Sequence, residues 1–181
     1  MNPQEAFTFL LGVVFSLAII LSFTRFLLQM VGADFYNPLS QFVVQATNPV
    51  LAPLRRIMPP NRQVDFAALL VTVVLIVAEV WLLDFLMRFG VHPSGQQLLL
   101  ISFNSLGSFV LGYFLVAVIV RVVLSWIMQD PRHPFFVLVA QITEPLMAPV
   151  RRIMPPMGGL DLSPIVVLLG LQFLMILFFS P

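Results

Sequence analysis

The strongest constraint on the fold is an internal repeat. When the chain is shifted by 96 residues, 17 of the 41 positions in residues 25–65 are identical to those in residues 121–161, without a gap. The best-matched segments are Thr47–Pro60 (TNPVLAPLRRIMPP) and Thr143–Pro156 (TEPLMAPVRRIMPP). Self-similarity at a fixed period indicates two units with the same local fold. We therefore expect a first unit at residues 1–88, an extracytoplasmic linker at 89–104 and a second unit at 105–181.

Each unit contains two apolar stretches of about the 20 residues that are needed to cross a bilayer. They cover approximately Ala6–Leu28, Phe66–Leu86, Leu106–Met128 and Leu162–Phe179. Charged residues make up only 9% of the chain, against about 25% in soluble domains, which excludes a water-soluble enzyme. The first stretch has no basic residues before it and is typical of a retained span. We predict an all-α membrane protein with four transmembrane helices, arranged as two tandem parallel two-helix units.

The arginines predict the orientation of these spans. Eight of the nine lie in the loops 33–65 and 129–161 or near the span ends that lead into them, and only Arg88 lies on the other side. Basic residues concentrate on the cytoplasmic side of membrane proteins. We therefore expect a multi-pass protein of the bacterial inner membrane, with loops 33–65 and 129–161 in the cytoplasm.

The middle of each unit has the pattern of a short helix at the cytoplasmic interface. Apolar residues recur at helical spacing after Pro38 and after Pro134, and these prolines suit the first position of a helix. Pro49 and Pro145 are expected to end the two helices, because the four prolines from each of these positions onward are incompatible with a continuous helix. About three turns are too short to cross a bilayer, so each unit should carry an interfacial or re-entrant element.

Several motifs give the chain a family resemblance. They are the repeated Pro-x-x-x-Pro-x-Arg-Arg-Ile-Met-Pro-Pro core, the segment Gly158–Pro164 (GGLDLSP) after the second core, and Asp34–Pro38 (DFYNP) at the start of the first loop. In these motifs and in both repeats the chain resembles the YggT family of bacterial membrane proteins, which have two tandem repeats. The first repeat departs from the family pattern, since Asn61–Gln63 replaces a glycine-rich turn and Ala67–Ala68 replaces a Ser-Pro pair.

The resemblance implies a function without an enzymatic reaction. The YggT family occurs in bacteria and plastids and has been linked to osmotic and ion homeostasis, to envelope or division-site organisation and to membrane cytochrome assembly. We therefore expect a non-enzymatic protein that supports osmotic or ion homeostasis or envelope organisation, as a scaffold or regulator of membrane complexes. The alternative is an oligomeric ion channel or transporter, with a pore between repeats or subunits.

The expected partners are membrane lipids, anionic ones above all, and a second copy of the chain or other membrane proteins. A net charge of +1 provides no global field that would attract nucleic acid. His92 and His133 fall far apart in the predicted topology, and the chain has no Cys. No metal site and no other cofactor are therefore expected.

The repeated arginine pairs are the candidate lipid-binding residues. Arg55 and Arg56, like Arg151 and Arg152, should lie at the inner headgroup layer. Guanidinium groups there can hold lipid phosphates through paired hydrogen bonds. The alternative is that the four arginines only set the topology of the chain.

Other charged residues lie within or next to the apolar stretches. Arg25 and Arg121 lie inside spans, where a charge is costly unless it is paired or reaches the interface. Asp65 and Asp161 precede the next spans at N-cap positions, so we predict structural ion pairs Arg25–Asp65 and Arg121–Asp161 that join the two spans of each unit. Glu79, about two-thirds along the second span, is a candidate intramembrane proton or cation site.

Overall fold

The computed structural model of the chain describes residues 3–59, 61, 64–87, 94–128, 130, 132–154 and 161–179. All regular elements in these ranges are α-helices, which confirms the predicted all-α fold. In chain order they are α1 (Pro3–Met30), α2 (Pro38–Arg55), α3 (Phe66–Met87), α4 (Gly95–Ile127), α5 (Pro134–Ile153) and α6 (Ser163–Phe179). Arg88, His92, Gly158 and Gly159 lie outside the described residues.

Three helices, α1, α3 and α4, are long and apolar enough to cross a bilayer. The most apolar 18-residue segments of these helices have mean hydropathies of 2.5, 2.6 and 2.3. Large side chains such as Phe9, Leu10 and Phe103 are exposed along the helices. A soluble monomer rarely exposes so much contiguous apolar surface. The chain is therefore a membrane protein. Helix α6 is also apolar but has 17 residues, or about 26 Å at 1.5 Å per residue.

The third apolar helix begins earlier than the sequence predicts. Helix α4 begins at Gly95 rather than at Leu106, so the described part of the predicted linker 89–104 is helical from Gly95 onward. The Ser94 hydroxyl accepts a hydrogen bond from the backbone N–H of Gln97 at 3.3 Å, and the Gln97 side chain accepts from the N–H of Ser94 at 3.1 Å. This reciprocal capping box starts the helix among polar residues, which a search for apolar stretches overlooks.

The described helices belong to two compact units. The first consists of Met1–Phe26 and Val43–Leu106, and the second of Leu27–Phe42 and Gly107–Pro181. The boundaries of these units do not follow the sequence repeats, because the end of α1 and the start of α2 belong to the second unit and the first three turns of α4 belong to the first. The units in space therefore differ from the repeats in sequence.

Side-chain caps start the two proline-containing helices. Pro38 and Pro134 are the first residues of α2 and α5, as the sequence predicts. The Asn37 Oδ1 atom accepts from the backbone N–H of Leu39 at 2.9 Å, and its Nδ2 atom donates to the carbonyl oxygen of Pro134 at 2.7 Å. His133 Nδ1 accepts from a backbone N–H in the first turn of α5 at 3.3 Å. Both side chains thus satisfy helix donors that would otherwise lack partners.

A fully buried leucine forms the centre of the first unit's core. Leu51 of α2 packs with Ala67, Ala68 and Val71 of α3. Two alanines on the facing helix leave room for a close approach of the two backbones, which is the usual way in which membrane helices gain packing contacts. Half-buried apolar residues surround this cluster: Phe26, Leu54 and Leu75.

The second unit repeats this packing with larger side chains. Met147 of α5, at the position equivalent to Leu51, is fully buried among Val118 of α4 and Val167 and Leu171 of α6. The two repeats therefore dock the proline-containing helix on the following apolar helix through the same sequence position.

The prediction that Pro49 and Pro145 end their helices is wrong. Helix α2 continues through Pro49 and Pro53 to Arg55, and α5 likewise contains two internal prolines. An internal proline costs about 3 kcal/mol or more in an isolated helix. In both helices the fully buried side chain, Leu51 or Met147, follows the first internal proline, so the packing described above holds the helix together beyond it.

Candidate functional site

A buried carboxylate joins three helices of the first unit. Asp65 lies directly before α3 and none of its side chain is exposed. Its Oδ2 atom accepts a hydrogen bond from Arg55 Nη2 at the end of α2 and lies 4.0 Å from Nε of Arg25 on α1. Its Oδ1 atom accepts from the backbone N–H of Ala68 at 3.2 Å. Asp65 is thus the N-cap of α3, as the sequence predicts, and also the counter-ion of two guanidinium groups.

The structure brings Arg25 and Asp65 together, but the closer partner of Asp65 is Arg55. The sequence predicts a position at the headgroup layer for Arg55 and does not predict a pair between Arg55 and Asp65. Arg55 Nη2 is hydrogen-bonded to the carboxylate, whereas Nε of Arg25 lies at the outer limit of an ion pair. Asp65 follows Arg55 by ten residues in the chain, so a short connection returns the chain to the end of α2.

The second unit has a different arrangement of charges. Arg121 on α4 donates to Glu144 Oε2 at 3.0 Å and to Thr143 Oγ1 at 2.8 Å. Arg151 donates to Glu144 Oε1 at 3.0 Å and to Asp161 Oδ2 at 2.9 Å. Two guanidinium groups and two carboxylates therefore alternate in one network.

The predicted pair Arg121–Asp161 is therefore wrong. Glu144 stands on α5 one residue after Thr143, which also binds Arg121, and it provides a carboxylate directly opposite that guanidinium group. Asp161 pairs instead with Arg151. The first unit has Asn48 at the position of Glu144, so this difference of one residue redistributes the ion pairs.

Asp161 stays ionised over a wide range of pH. Burial opposes its charged form, but hydrogen bonds from Ser163 and the guanidinium group of Arg151 outweigh that effect and lower the pKa of the carboxyl. Because the pKa of the Asp161 carboxyl is lower in the folded state than in the unfolded chain, the interactions of its charged form stabilise the fold at any pH above the unfolded-state pKa. This stabilisation is lost as the pH falls through the folded-state pKa. The Asp161 carboxyl is therefore charged at neutral pH.

The two arginines of each pair have different environments. Arg55 and Arg151 are half-buried in the ion pairs described above, whereas Arg56 and Arg152 are exposed. Within the described residues, no side-chain hydrogen bond or ion pair involves Arg56 or Arg152. The next residue in both repeats is an isoleucine whose side chain is almost fully exposed, 81% for Ile57 and 82% for the equivalent residue of the second repeat. Each repeat thus presents an arginine and an isoleucine side by side.

Glu79 is separate from these networks. Its side chain is half-buried in the second half of α3, and it makes no hydrogen bond or ion pair with the residues that the structure describes. The structure therefore places it with none of the other candidate residues. Among the described residues, no group of three or more His, Cys, Asp or Glu side chains could hold a metal ion.

Two features of the site were not predicted from the sequence: the participation of Glu144 and the pairing of Arg55 with Asp65. A signal for the first was present, because position 48/144 is the one place in the Thr47–Pro60 match where a neutral residue aligns with a charged one. No comparable signal separates Arg55 from Arg56, since only the direction of the helix end determines which of two adjacent arginines faces Asp65.

The chain matches known proteins over nearly its whole length. The family model described as CCB3/YggT matches residues 4–86 and 100–181, one segment for each repeat. Uncharacterized protein PA0392 of Pseudomonas aeruginosa is 42% identical over 171 residues, which cover 94% of this chain and 87% of that protein. Uncharacterized protein YggT of Escherichia coli K12 is 37% identical over 168 residues, covering 92% and 85%. No solved structure gives a significant match.

Proposed function

The chain belongs to the CCB3/YggT family, and we propose that it is a non-enzymatic protein of the bacterial inner membrane. It would support osmotic or ion homeostasis or envelope organisation, as a scaffold or regulator of membrane complexes. The candidate site supports this proposal, because its charged groups bind one another and a helix start. Such an arrangement holds helices together and presents a defined surface, and it offers no free acid and base in contact for proton transfer.

The proposal includes four membrane spans, with α6 as the fourth. Helix α6 is equivalent in sequence to α3. It has 17 residues, and a helix shorter than the bilayer thickness can still span it where the bilayer thins locally. With four spans, loops 33–65 and 129–161 are on the same side of the membrane. The excess of arginine in these loops supports a cytoplasmic location.

Cysteine labelling tests this topology. The native chain has no cysteine, so Asn61→Cys and Ser94→Cys each introduce one thiol at an exposed position. In intact cells, an impermeant maleimide should label Ser94→Cys, whereas Asn61→Cys should react only after the membrane is permeabilised. Labelling of Asn61→Cys alone in intact cells would reverse the proposed orientation.

The observation that carries the lipid part of the proposal is the exposed Arg-Ile pair in each repeat. Arg56 with Ile57, and Arg152 with Ile153, follow or end an amphipathic helix that is docked by its buried face. An exposed isoleucine suits the acyl-chain boundary, while the neighbouring guanidinium group suits a headgroup phosphate. We therefore assign anionic lipid as the partner of these two arginines.

Lysine substitution separates a specific phosphate contact from simple attraction. The double change Arg56→Lys and Arg152→Lys keeps both charges but removes the planar fork of the guanidinium group. Native mass spectrometry in the presence of cardiolipin should show weaker lipid retention, since each contact contributes about 1 kcal/mol near the surface. Arg132→Lys, an exposed arginine outside the pairs, is the matched control and should change nothing. Unchanged retention in the double variant would mean that charge alone suffices.

The position of Glu79 within a predicted span favours the alternative function. An intramembrane carboxylate without a described partner commonly faces a cavity or another chain, which suits an oligomeric ion channel or transporter with a pore between repeats or subunits. Ion flux through proteoliposomes that disappears in Glu79→Gln would favour this alternative over the scaffold. A wild-type protein that gives no ion flux in the same assay would favour the scaffold function.

A further inference from the structure

Helix α6 carries a polar side chain in the middle of an apolar sequence. Apart from Ser163 at its start, Gln172 is the one polar residue of this helix, and it is exposed. Its amide makes no hydrogen bond with any residue that the structure describes. In a helix that crosses the membrane, Gln172 lies about 14 Å from the first residue at 1.5 Å per residue, where hydrocarbon offers no partner to its donors or its acceptor.

The residues around Gln172 have the spacing of a helix–helix interface. Three large apolar side chains share its face of α6 and are more than half exposed: Ile165 54%, Leu169 67% and Ile176 61%. With Gln172 these residues follow one another at intervals of four, three and four positions. An average interval of 3.5 residues is the one at which side chains of two helices pack between each other. The residues that α6 buries within its own unit, such as Val167 and Leu171, lie on another face.

The first unit has a helix beside the equivalent face of α3. At the same shift of 96 residues, Gln172 aligns with Ile76 and Leu169 aligns with Val73. Ile76 is buried, and Val73 and Ile76 line an apolar cleft together with Ser102 from the first turns of α4. Those turns belong to the first unit. A helix thus lies along this face in the first unit, whereas the same face of α6 is exposed.

We propose that α6 of a second copy of the chain docks on this face, so that the two Gln172 amides bind each other at the centre of a dimer. Amides are self-complementary, because each can donate to the other and accept from it. Copies that cross the bilayer in the same direction carry Gln172 at the same depth, and a two-fold axis along the bilayer normal brings these residues together. A helix of another protein would need its own polar side chain at that depth. Hydrogen bonds of this kind stabilise helix pairs in membranes.

This inference rests on one part of the proposed function, which is that α6 forms the fourth span. It adds to the scaffold a partner, a second copy of the chain, and the residues that join the two copies. It is independent of the lipid contacts proposed for Arg56 and Arg152, because neither arginine lies on α6. Loss of lipid binding at those arginines would therefore leave the dimer intact.

Cysteine cross-linking at two adjacent positions of the full-length chain tests the dimer. Leu169→Cys places a thiol on the proposed interface of a chain that has no native cysteine. Gly170→Cys places it about 100° further around the helix, where an added side chain meets no atom within 4 Å. A disulfide requires Cα atoms within about 7 Å of each other. Oxidation in membranes should therefore give covalent dimers of Leu169→Cys and leave Gly170→Cys monomeric.

Gln172→Leu measures what the amide contributes to the dimer. Leucine has a similar size and makes α6 more apolar, so insertion into the membrane is preserved. The readout is the dissociation constant in liposomes, from energy transfer between donor-labelled and acceptor-labelled copies of a Ser94→Cys background at several protein-to-lipid ratios. We expect about tenfold weaker association, which corresponds to about 1.4 kcal/mol. The control Leu177→Ala truncates an exposed side chain on a different face of α6 and should leave the dissociation constant unchanged.

Equal cross-linking of Leu169→Cys and Gly170→Cys, or equal association of Gln172→Leu and the wild type, would overturn the proposal. So would the absence of any dimer, which would leave a helix of another protein as the partner of Gln172. A water-soluble maleimide distinguishes these failures from the failure of the fourth span. If both cysteines react in permeabilised membranes, α6 does not cross the bilayer and the four-span proposal is wrong. If neither reacts and no dimer forms, the span stands and only the dimer is rejected.

Discussion

Replacing Asp65 with asparagine is expected to destabilise the protein by about 3–5 kcal/mol, the usual cost of removing one partner from a buried ion pair. Asparagine keeps a side-chain oxygen that can still cap α3, so the change isolates the charge. The guanidinium groups of Arg25 and Arg55 would lose the carboxylate they share while remaining largely buried. In a thermal unfolding experiment in detergent, this cost should lower the midpoint by about 10 °C.

Asp161→Asn is the matched control for this experiment. The Asp161 side chain is 34% exposed, and Glu144 would still balance Arg121 and Arg151. Partly exposed ion pairs contribute little because solvent screens them, so a loss of less than about 1 kcal/mol is expected. Equal shifts for the two variants would show that the complete burial of the Asp65 carboxylate has no energetic consequence.

Replacing Leu51 with alanine should cost about 2–5 kcal/mol, which is the range for truncating a fully buried leucine. The cavity would open where α2 meets Ala67 and Ala68 of α3. Membrane helices rely on such packing contacts because lipid supplies no hydrophobic force between them. Since Leu51 also holds α2 in helical form after Pro49, the same variant should lose helical content on heating earlier than the wild type, as followed by circular dichroism.

Val50→Ala provides the comparison for Leu51→Ala. Val50 is the preceding residue on the same helix but is 55% exposed, so its truncation should change the stability by no more than about 0.5 kcal/mol. A loss at position 50 as large as that at position 51 would indicate that α2 has no fixed buried face.

The helical framework could be predicted because apolar length and proline position are local signals. The three long apolar helices and the starts of α2 and α5 at Pro38 and Pro134 follow directly from them. The ends of α2 and α5 could not be predicted in this way. The helix beyond Pro49 depends on packing between Leu51 and α3, and a proline penalty read from the sequence contains no information about that contact.

The candidate site was predicted only in part, for a similar reason. The pairing of Asp65 with a buried arginine follows from the cost of a charge within a span, and this reasoning led to Arg25. The same reasoning applied to Arg121 failed, because a second carboxylate, Glu144, competes for it from another helix. Competition between partners depends on distances in space, and the sequence shows only that both partners exist.

The uninterrupted course of α4 has a practical meaning for anyone who wishes to divide or tag this protein. Its residues up to Leu106 belong to the first unit and those from Gly107 to the second, and Leu98 lines an apolar cleft with Ala78 and Trp81 of α3. Separating the halves at residue 105 would cut through a helix and leave its capping box on one fragment. An inserted peptide or a protease site placed before Ser94, upstream of that cap, would leave α4 whole, but a cut there would place the first turns of α4 on a different fragment from the rest of the first unit.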